Sequence, residues 1–375
     1  MNFSKLNKIF VCSAAILACA QMGEAAAKST RHRPKPHKHA LPPPSKADTR
    51  AEYVNFTQWR EVAAFVDEMV AKHSFNKVEL DSILRKVQHV DAAIQLIKPT
   101  PQGQPKNWRA YRSRFVEPIR INAGANFWNE HADALARAEN QFGVPAEIIV
   151  GIIGVETVYG RNTGNFRVLD VLTTLGFDYP DTPNRDARMA FFRGELENTL
   201  LYARESGIDP FSLMGSYAGA IGLPQFMPGS IRKFAIDFDD NGVIDLRNSP
   251  DDAIGSVANF LVQHGWHSRE PIVFPVTVAS AEDGTNRWES LIGQGLEPKF
   301  SPATLQVGGV TAATALPENM KFGLVDLQNG AEPTEYWLGT NNFFTITKYN
   351  RSYFYAMSVI DLGRAVNVAR SNVNR

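Results

Sequence analysis

The sequence predicts an α+β protein, mainly α, and three observations carry that prediction. Apolar residues recur at helical spacing over residues 53–98 and again over 114–142, the period of helices that turn one face to a core. The run 145–161 is apolar nearly all round, so a helix there should be buried on every side. Over residues 270–330 the texture changes. Ile272, Phe274, Val276 and Val278 alternate, as do Phe322 and Leu324, and Gly, Pro and Thr collect. That alternation predicts a small, mostly β lobe inserted among helices. At 375 residues the chain is long enough for a large core in two or three lobes. Its formal net charge is zero, which lacks the basic excess of a nucleic-acid binder.

Residues 1–27 read as an export signal. Lys5 and Lys8 make a positive start, and residues 9–20 are apolar but too short to span a bilayer as a mature helix. Ala25, Ala26 and Ala27 offer small residues for cleavage, while Ile16-Leu17-Ala18-Cys19 has the form of a lipobox. Two outcomes stand side by side: cleavage near Ala27, or a lipid anchor on Cys19 in the outer membrane. Either sends the protein to the periplasmic side of a Gram-negative envelope. The chain's two cysteines, Cys12 and Cys19, both fall in this segment. The rest therefore has no disulfide, thiol nucleophile or cysteine metal site. Residues 28–50, rich in Pro, Lys, Arg and His, have too few large apolar side chains for a core and read as a linker.

Residues 51–125 are expected to form an N-terminal helical lobe. Trp59, Val62, Ala63, Val66 and Val70 make one stripe, and Leu80, Ile83, Leu84 and Val87 another, before a loop at 99–106. Residues 126–268 should form the main core, with Phe127, Trp128, Ala132 and Leu135 at core spacing. In the apolar helix Pro145 suits the first position, Glu147 the positive dipole end and Gly160 the stop. Further helices are expected at 186–206, 249–264 and 352–369. Thr57, Ser249 and Ser352 suit N-caps. The β lobe is placed at 269–332, and 333–375 should return to complete the core.

Five stretches carry chemistry. Glu156 lies inside the apolar helix, where its helical neighbours Ile152, Ile153, Tyr159 and Gly160 include no cation. Desolvation without a positive partner raises a carboxyl pKa, which is what a general acid requires. A Glu satisfied by a distant Arg or a buried hydroxyl fits the local pattern equally well. Residues 215–230 are too glycine-rich for a helix and too apolar for a solvated loop. Ser216 and Gln225 could hydrogen-bond acetamido and hydroxyl groups, and Tyr217 and Phe226 offer flat faces for sugar rings. A tight packed turn accounts for the same small residues. Residues 237–245 place Asp237, Asp239 and Asn241 at positions 1, 3 and 5 of an EF-hand-like opening, then Gly242, the Val243 carbonyl and Asp245. Asn248 stands where a bidentate Glu would; Asp251 or Asp252 could close the shell of a structural Ca²⁺, and complementing the dipole of the next helix accounts for the same two residues. Residues 337–352, with Tyr349 and Asn350, and 108–112, with Tyr111, suit sugar recognition, although Phe343, Phe344 and Ile346 serve core packing.

With these stretches in hand, the chain resembles the lytic murein transglycosylases of the membrane-bound B type. The carrying motifs run from Val150 to Arg161, from Gly215 to Pro228, through Asp237 to Leu246 with Asp252 to Phe260, and from Phe343 to Asn350. The resemblance implies a lysozyme-like helical core with an extra α lobe and a small β lobe. It implies Glu156 as the single catalytic acid, and Ser216, Gln225, Phe226, Tyr349 and Tyr111 along the glycan cleft. It puts Asp237, Asp239, Asn241, Val243 and Asp252 on a Ca²⁺ loop. The implied substrate is the glycan strand of peptidoglycan, cut between N-acetylmuramic acid and N-acetylglucosamine with formation of 1,6-anhydromuramoyl ends. Leu223, Pro224 and Phe344 depart from the family pattern. A water-using muramidase and a non-enzymatic peptidoglycan-binding scaffold are the other readings. The sequence shows no second acid in a matching apolar setting, as an ordinary glycosidase pair would need.

Overall fold

The computed structural model describes residues 55–99, 105–280 and 284–373. The expected signal at 1–27, with Cys12 and Cys19, and the linker at 28–50 lie outside the described residues. Helices dominate and a small antiparallel sheet is set among them, the architecture the periodicities predict.

The first cap differs from expectation. Asn55, not Thr57, is the first cap, accepting the Thr57 N–H at 3.0 Å, and Thr57 lies inside the 3-10 turn Phe56–Gln58 that it caps. The helices Arg60–His73, Lys77–Leu84 and Asp91–Ile97 follow. Val62, Phe65, Val66 and Met69 form the buried face of the first, while Ala63 is exposed. The expected block 114–142 is divided: Pro118–Glu130 and Ala132–Phe142 are separate helices, and His131 between them leaves helical geometry (φ −117°, ψ 31°). Ser249 caps Pro250–Gln263 by accepting the Asp252 N–H, and Ser352 accepts the Tyr355 N–H in Tyr353–Val373.

One core helix has no counterpart in the sequence reading. Val168–Phe177 is buried along its whole length, Asp170, Thr173 and Thr174 included, so no solvent-facing stripe marks it out in the sequence. Its threonines are accommodated by bonding backwards: Thr173 Oγ1 donates to the Leu169 carbonyl and Thr174 Oγ1 to that of Asp170.

The apolar helix is Ala146–Thr157, with every residue but Glu147 buried. It packs against Pro118–Glu130, Ala132–Phe142, Pro250–Gln263 and, most extensively, Tyr353–Val373. Small residues set that last contact. A methyl group on Gly151 would lie 2.3 Å from the Val359 carbonyl oxygen, and one on Gly363 would lie 2.1 Å from that of Glu147. The two backbones therefore touch, and each buried isoleucine along them contributes about 1.5–3 kcal/mol.

The sheet has four antiparallel strands in the order Val310–Ala312, Val273–Val278, Glu332–Gly339, Gly323–Asn329. It runs past the expected boundary at 332, because Glu332–Gly339 pairs with strands on both sides: Val273 faces Gly339, and Asp326 faces Tyr336. Alternation divides the sheet between two cores. Val325 and Leu327 join the main core, whereas Leu324, Leu338 and Phe322 join a smaller one with Leu291, Leu305 and Val310.

Candidate active site and metal loop

Glu156 is the penultimate residue of its helix and is 6% exposed. Its neighbour is a buried hydroxyl: Tyr355 Oη donates to Glu156 Oε1 at 2.7 Å. Burial pushes the Glu156 carboxyl up to about 7, and the Tyr355 hydrogen bond, which favours the ionised form, opposes that rise. Burial and the Glu156 charge together hold the Tyr355, Tyr349 and Tyr111 phenols above their usual range, so these three hydroxyl groups stay protonated around the acid.

The aromatic groups are themselves fixed. Tyr349 lies nearly parallel to Tyr355 (6.3 Å, 16°), packs on Phe226 and Phe260, and donates its hydroxyl to the Pro224 carbonyl at 2.5 Å. Tyr111 is held by Phe115 and Phe354. Asn350 is buried at the end of Asn341–Tyr349.

The acid's helix does not stop at Gly160. It ends two residues earlier, at Val158 (φ 53°, ψ 50°), with Tyr159 also left-handed (φ 57°) before Gly160 (φ 86°). Such a position is usually glycine, and a β-branched residue there costs about 1–2 kcal/mol. Thr157 ties this turn to the glycine-rich stretch. Its hydroxyl lies 3.0 Å from the Leu223 carbonyl, to which it can donate, and it accepts the Gly160 N–H.

Residues 215–230 form the packed turn. Ile221 and Phe226 exchange backbone hydrogen bonds around Gly222 (φ 74°), where a methyl group would lie 2.3 Å from the Leu246 carbonyl oxygen. Ser216 is buried and its hydroxyl accepts the Ala218 and Ala220 N–H groups. The Gln225 side-chain amide donates to the Gly222 and Thr163 carbonyls. Tyr217 is 4% exposed and Phe226 2%. The ring of Phe226 is packed on Phe260 and Tyr349 rather than open as a platform.

Glu195 is a half-buried carboxyl that no local sequence signal marks. It is held above the usual carboxylate range by burial, and it accepts the Gly229 N–H at 2.7 Å. That bond anchors Pro228–Phe234, the helix that closes the glycine-rich stretch.

The third stretch gathers oxygen ligands. Carboxylate oxygens of Asp237, Asp239 and Asp252 lie within 4.8 Å of one another, about twice a Ca²⁺–oxygen distance. Asp252 is fully buried and accepts the Phe238 and Asp245 N–H groups, which stitches the loop to its helix. Asp251 instead turns to Arg137 and His131. Asp237 accepts the Asn241 and Gly242 N–H groups, and the Asn241 side chain accepts that of Val243. Asp245 points away, onto Arg247 and Asn248, and does not join the cluster. The donor set, hard carboxylate oxygens on a loop turned by Gly242, fits a Ca²⁺ ion.

Comparison with known proteins gives a consistent family. Residues 56–364 match the family described as the transglycosylase SLT domain. The chain is 42% identical over 315 residues to membrane-bound lytic murein transglycosylase B of Escherichia coli (strain K12), covering 82% of each protein. It resembles the structure of an Escherichia coli lytic transglycosylase in complex with calcium, at 39% identity and a TM-score of 0.74, over 87% of this chain and 100% of that one. SltB3 of Pseudomonas aeruginosa, solved with NAG-anhNAM-pentapeptide, is 28% identical with a TM-score of 0.68, over 84% of this chain and 80% of that one.

Proposed function

The chain belongs to the transglycosylase SLT family and is a peptidoglycan-cleaving lytic transglycosylase with a lysozyme-like helical core; from that premise we propose that Glu156 is its single catalytic acid and base. Protonated Glu156 donates to the glycosidic oxygen between N-acetylmuramic acid and N-acetylglucosamine as that bond breaks. The substrate's acetamido carbonyl stabilises the sugar carbon. Ionised Glu156 then takes the proton of the muramoyl 6-hydroxyl, whose oxygen closes on the same carbon. The product is a 1,6-anhydromuramoyl end, water is not consumed, and the intramolecular attack gains from high effective concentration.

The observation that carries this reading is the setting of Glu156. It is buried, bonded to a neutral hydroxyl, and lifted to about 7. A carboxyl at that value is present in both forms near neutrality, as a group that first gives and then takes a proton must be. Glu195 is engaged by the Gly229 N–H, so its position supports the loop rather than a second catalytic carboxylate. That a relative binds NAG-anhNAM-pentapeptide supports the same product class.

In this reading Tyr111, Ser216, Tyr217, Gln225, Phe226, Tyr349 and Asn350 shape the glycan cleft, and the fixed side chains among them act by holding its backbone. A structural Ca²⁺ is held by Asp237, Asp239, Asn241, the Val243 carbonyl and Asp252, in line with the calcium complex of the Escherichia coli relative. The enzyme works in the periplasm, soluble or held at the outer membrane through Cys19. No helix among the described residues is long and apolar enough to cross a membrane. The test is digestion of purified peptidoglycan with mass spectrometry of the soluble fragments. Fragments lighter by one water than hydrolysis products are expected. Reducing ends would instead identify a muramidase.

A further inference from the structure

We propose that Tyr159 is a positioning residue for Glu156: its phenol, wedged between two helices at Gly124 and Gly154, holds the left-handed turn that ends the acid's helix. The inference rests on the catalytic reading of Glu156.

Val158, Tyr159 and Gly160 are all left-handed, so the chain doubles back and the Tyr159 side chain runs along the helix it has just left. Its Oη reaches the place where a methyl group of Gly154 would be, 2.4 Å away, and the place where one of Gly124 would be, 2.3 Å away. Gly124 belongs to Pro118–Glu130 and Gly154 to Ala146–Thr157. The phenol therefore fills a slot that exists because both helices carry glycine there. Phe127 closes the slot with its ring 5.2 Å from that of Tyr159. The Tyr159 hydroxyl is buried and has no hydrogen-bond partner among the described residues. It is the shape of the ring, and not a bond made by its oxygen, that the slot receives.

This wedge bears on the acid through a short path. The turn it holds lets the Gly160 N–H reach Thr157 Oγ1, and the same Oγ1 lies against the Leu223 carbonyl. Glu156 is next in the chain to Thr157. The turn has backbone bonds of its own, from the Val158 N–H to the Gly154 carbonyl and from the Asn162 N–H to that of Thr157, but two successive non-glycine residues held left-handed are strained, and without the phenol no packing offsets that strain. The helix end loosens, water reaches Glu156, and its carboxyl falls toward the ordinary range. The charged and titratable groups that bear on these two residues are Tyr355, Tyr349 and Tyr111 around Glu156, and Arg120 beside Tyr159.

The experiment compares Tyr159→Phe, Tyr159→Leu and Gly124→Ala on a soluble glycan substrate across pH. Tyr159→Phe should keep wild-type kcat and pH profile. Tyr159→Leu should lose tenfold or more in kcat with KM within about threefold, and the alkaline limb of its kcat profile should move to lower pH. Gly124→Ala, whose residue lies on another helix, should reproduce that shift by evicting the phenol. Because Val366 also lies 2.6 Å from the added methyl, the double variant isolates the phenol's share: combined with Tyr159→Leu, Gly124→Ala should add little further loss in kcat. If Tyr159→Leu fails to fold, Gly124→Ala alone decides. An unshifted pH limb in folded Gly124→Ala overturns the proposal, as does a Tyr159→Phe variant impaired like Tyr159→Leu. A Glu156→Gln control keeps the two readings apart. Turnover retained there removes Glu156 from the acid role, whereas turnover lost there with Gly124→Ala unshifted removes only the positioning role.

Discussion

The Glu156 pocket and the loop from Asp237 to Asp252 use the same functional group for opposite ends. At Glu156 one carboxyl is enclosed by aromatic rings and phenol hydroxyls, and burial lifts it to about 7. In the loop three carboxylates come within 4.8 Å of one another and are fed by backbone N–H groups. Isolation from water and from positive charge makes a carboxyl hold its proton. Crowding with like charges, while backbone donors favour the ionised form, makes a site that calls for a cation. The surroundings, more than the residue type, assign the role.

The largest effect expected from breaking this contrast is at the acid. Glu156→Gln should leave the fold and glycan binding intact and lower turnover by orders of magnitude, read by fragment release from a variant with a native circular dichroism spectrum. Tyr355→Phe comes next. It removes the bond that favours the ionised form, so Glu156 should rise further, the alkaline limb of the rate profile should move to higher pH, and kcat should fall several-fold. Stripping Ca²⁺ with a chelator should lower the melting temperature by several degrees, with recovery on adding Ca²⁺. Asp252→Asn should mimic the chelated state, and an unchanged melting curve in chelator would count against the metal.

A further effect is on stability against pH. A raised carboxyl pKa means the folded state holds a proton that the unfolded chain has released, so Glu156 weakens the fold as pH rises from about 4.5 to about 7. Glu156→Gln lacks this penalty, which is on the order of 3 kcal/mol for an idealised shift of that size. The variant should match wild type near pH 4 and melt higher than it above pH 7, as a pair of thermal scans would show.

The fold was largely legible where periodicity is one-sided. The amphipathic stripes, the all-round apolar run and the alternation near Phe274 each dictated an element. Val168–Phe177 was hidden because it is short and mixes buried Asp170, Thr173 and Thr174 with its apolar residues, so it shows neither a solvent-facing stripe nor an unbroken apolar run. The boundary at 332 failed because strand pairing with Val273 and Asp326, not local texture, makes Glu332–Gly339 part of the sheet.

The site divides in the same way. The burial of Glu156 could be read from its neighbours in sequence. Tyr355, which bonds it, lies 199 residues away and is brought in by the glycine contacts at Gly151 and Gly363. No local signal predicts such a pairing. Local spacing likewise left Asp251 and Asp252 open, and only the family resemblance named Asp252; in the fold the helix presents Asp252 to the loop and Asp251 to Arg137.

One carboxyl suffices if the attacking oxygen belongs to the substrate. Digesting peptidoglycan in isotopically labelled water tests it most directly. Anhydromuramoyl fragments without solvent oxygen at the new end are expected. Labelled oxygen at that end, released by the wild-type protein and lost in Glu156→Gln, would contradict a substrate-borne nucleophile and require a water-activating base.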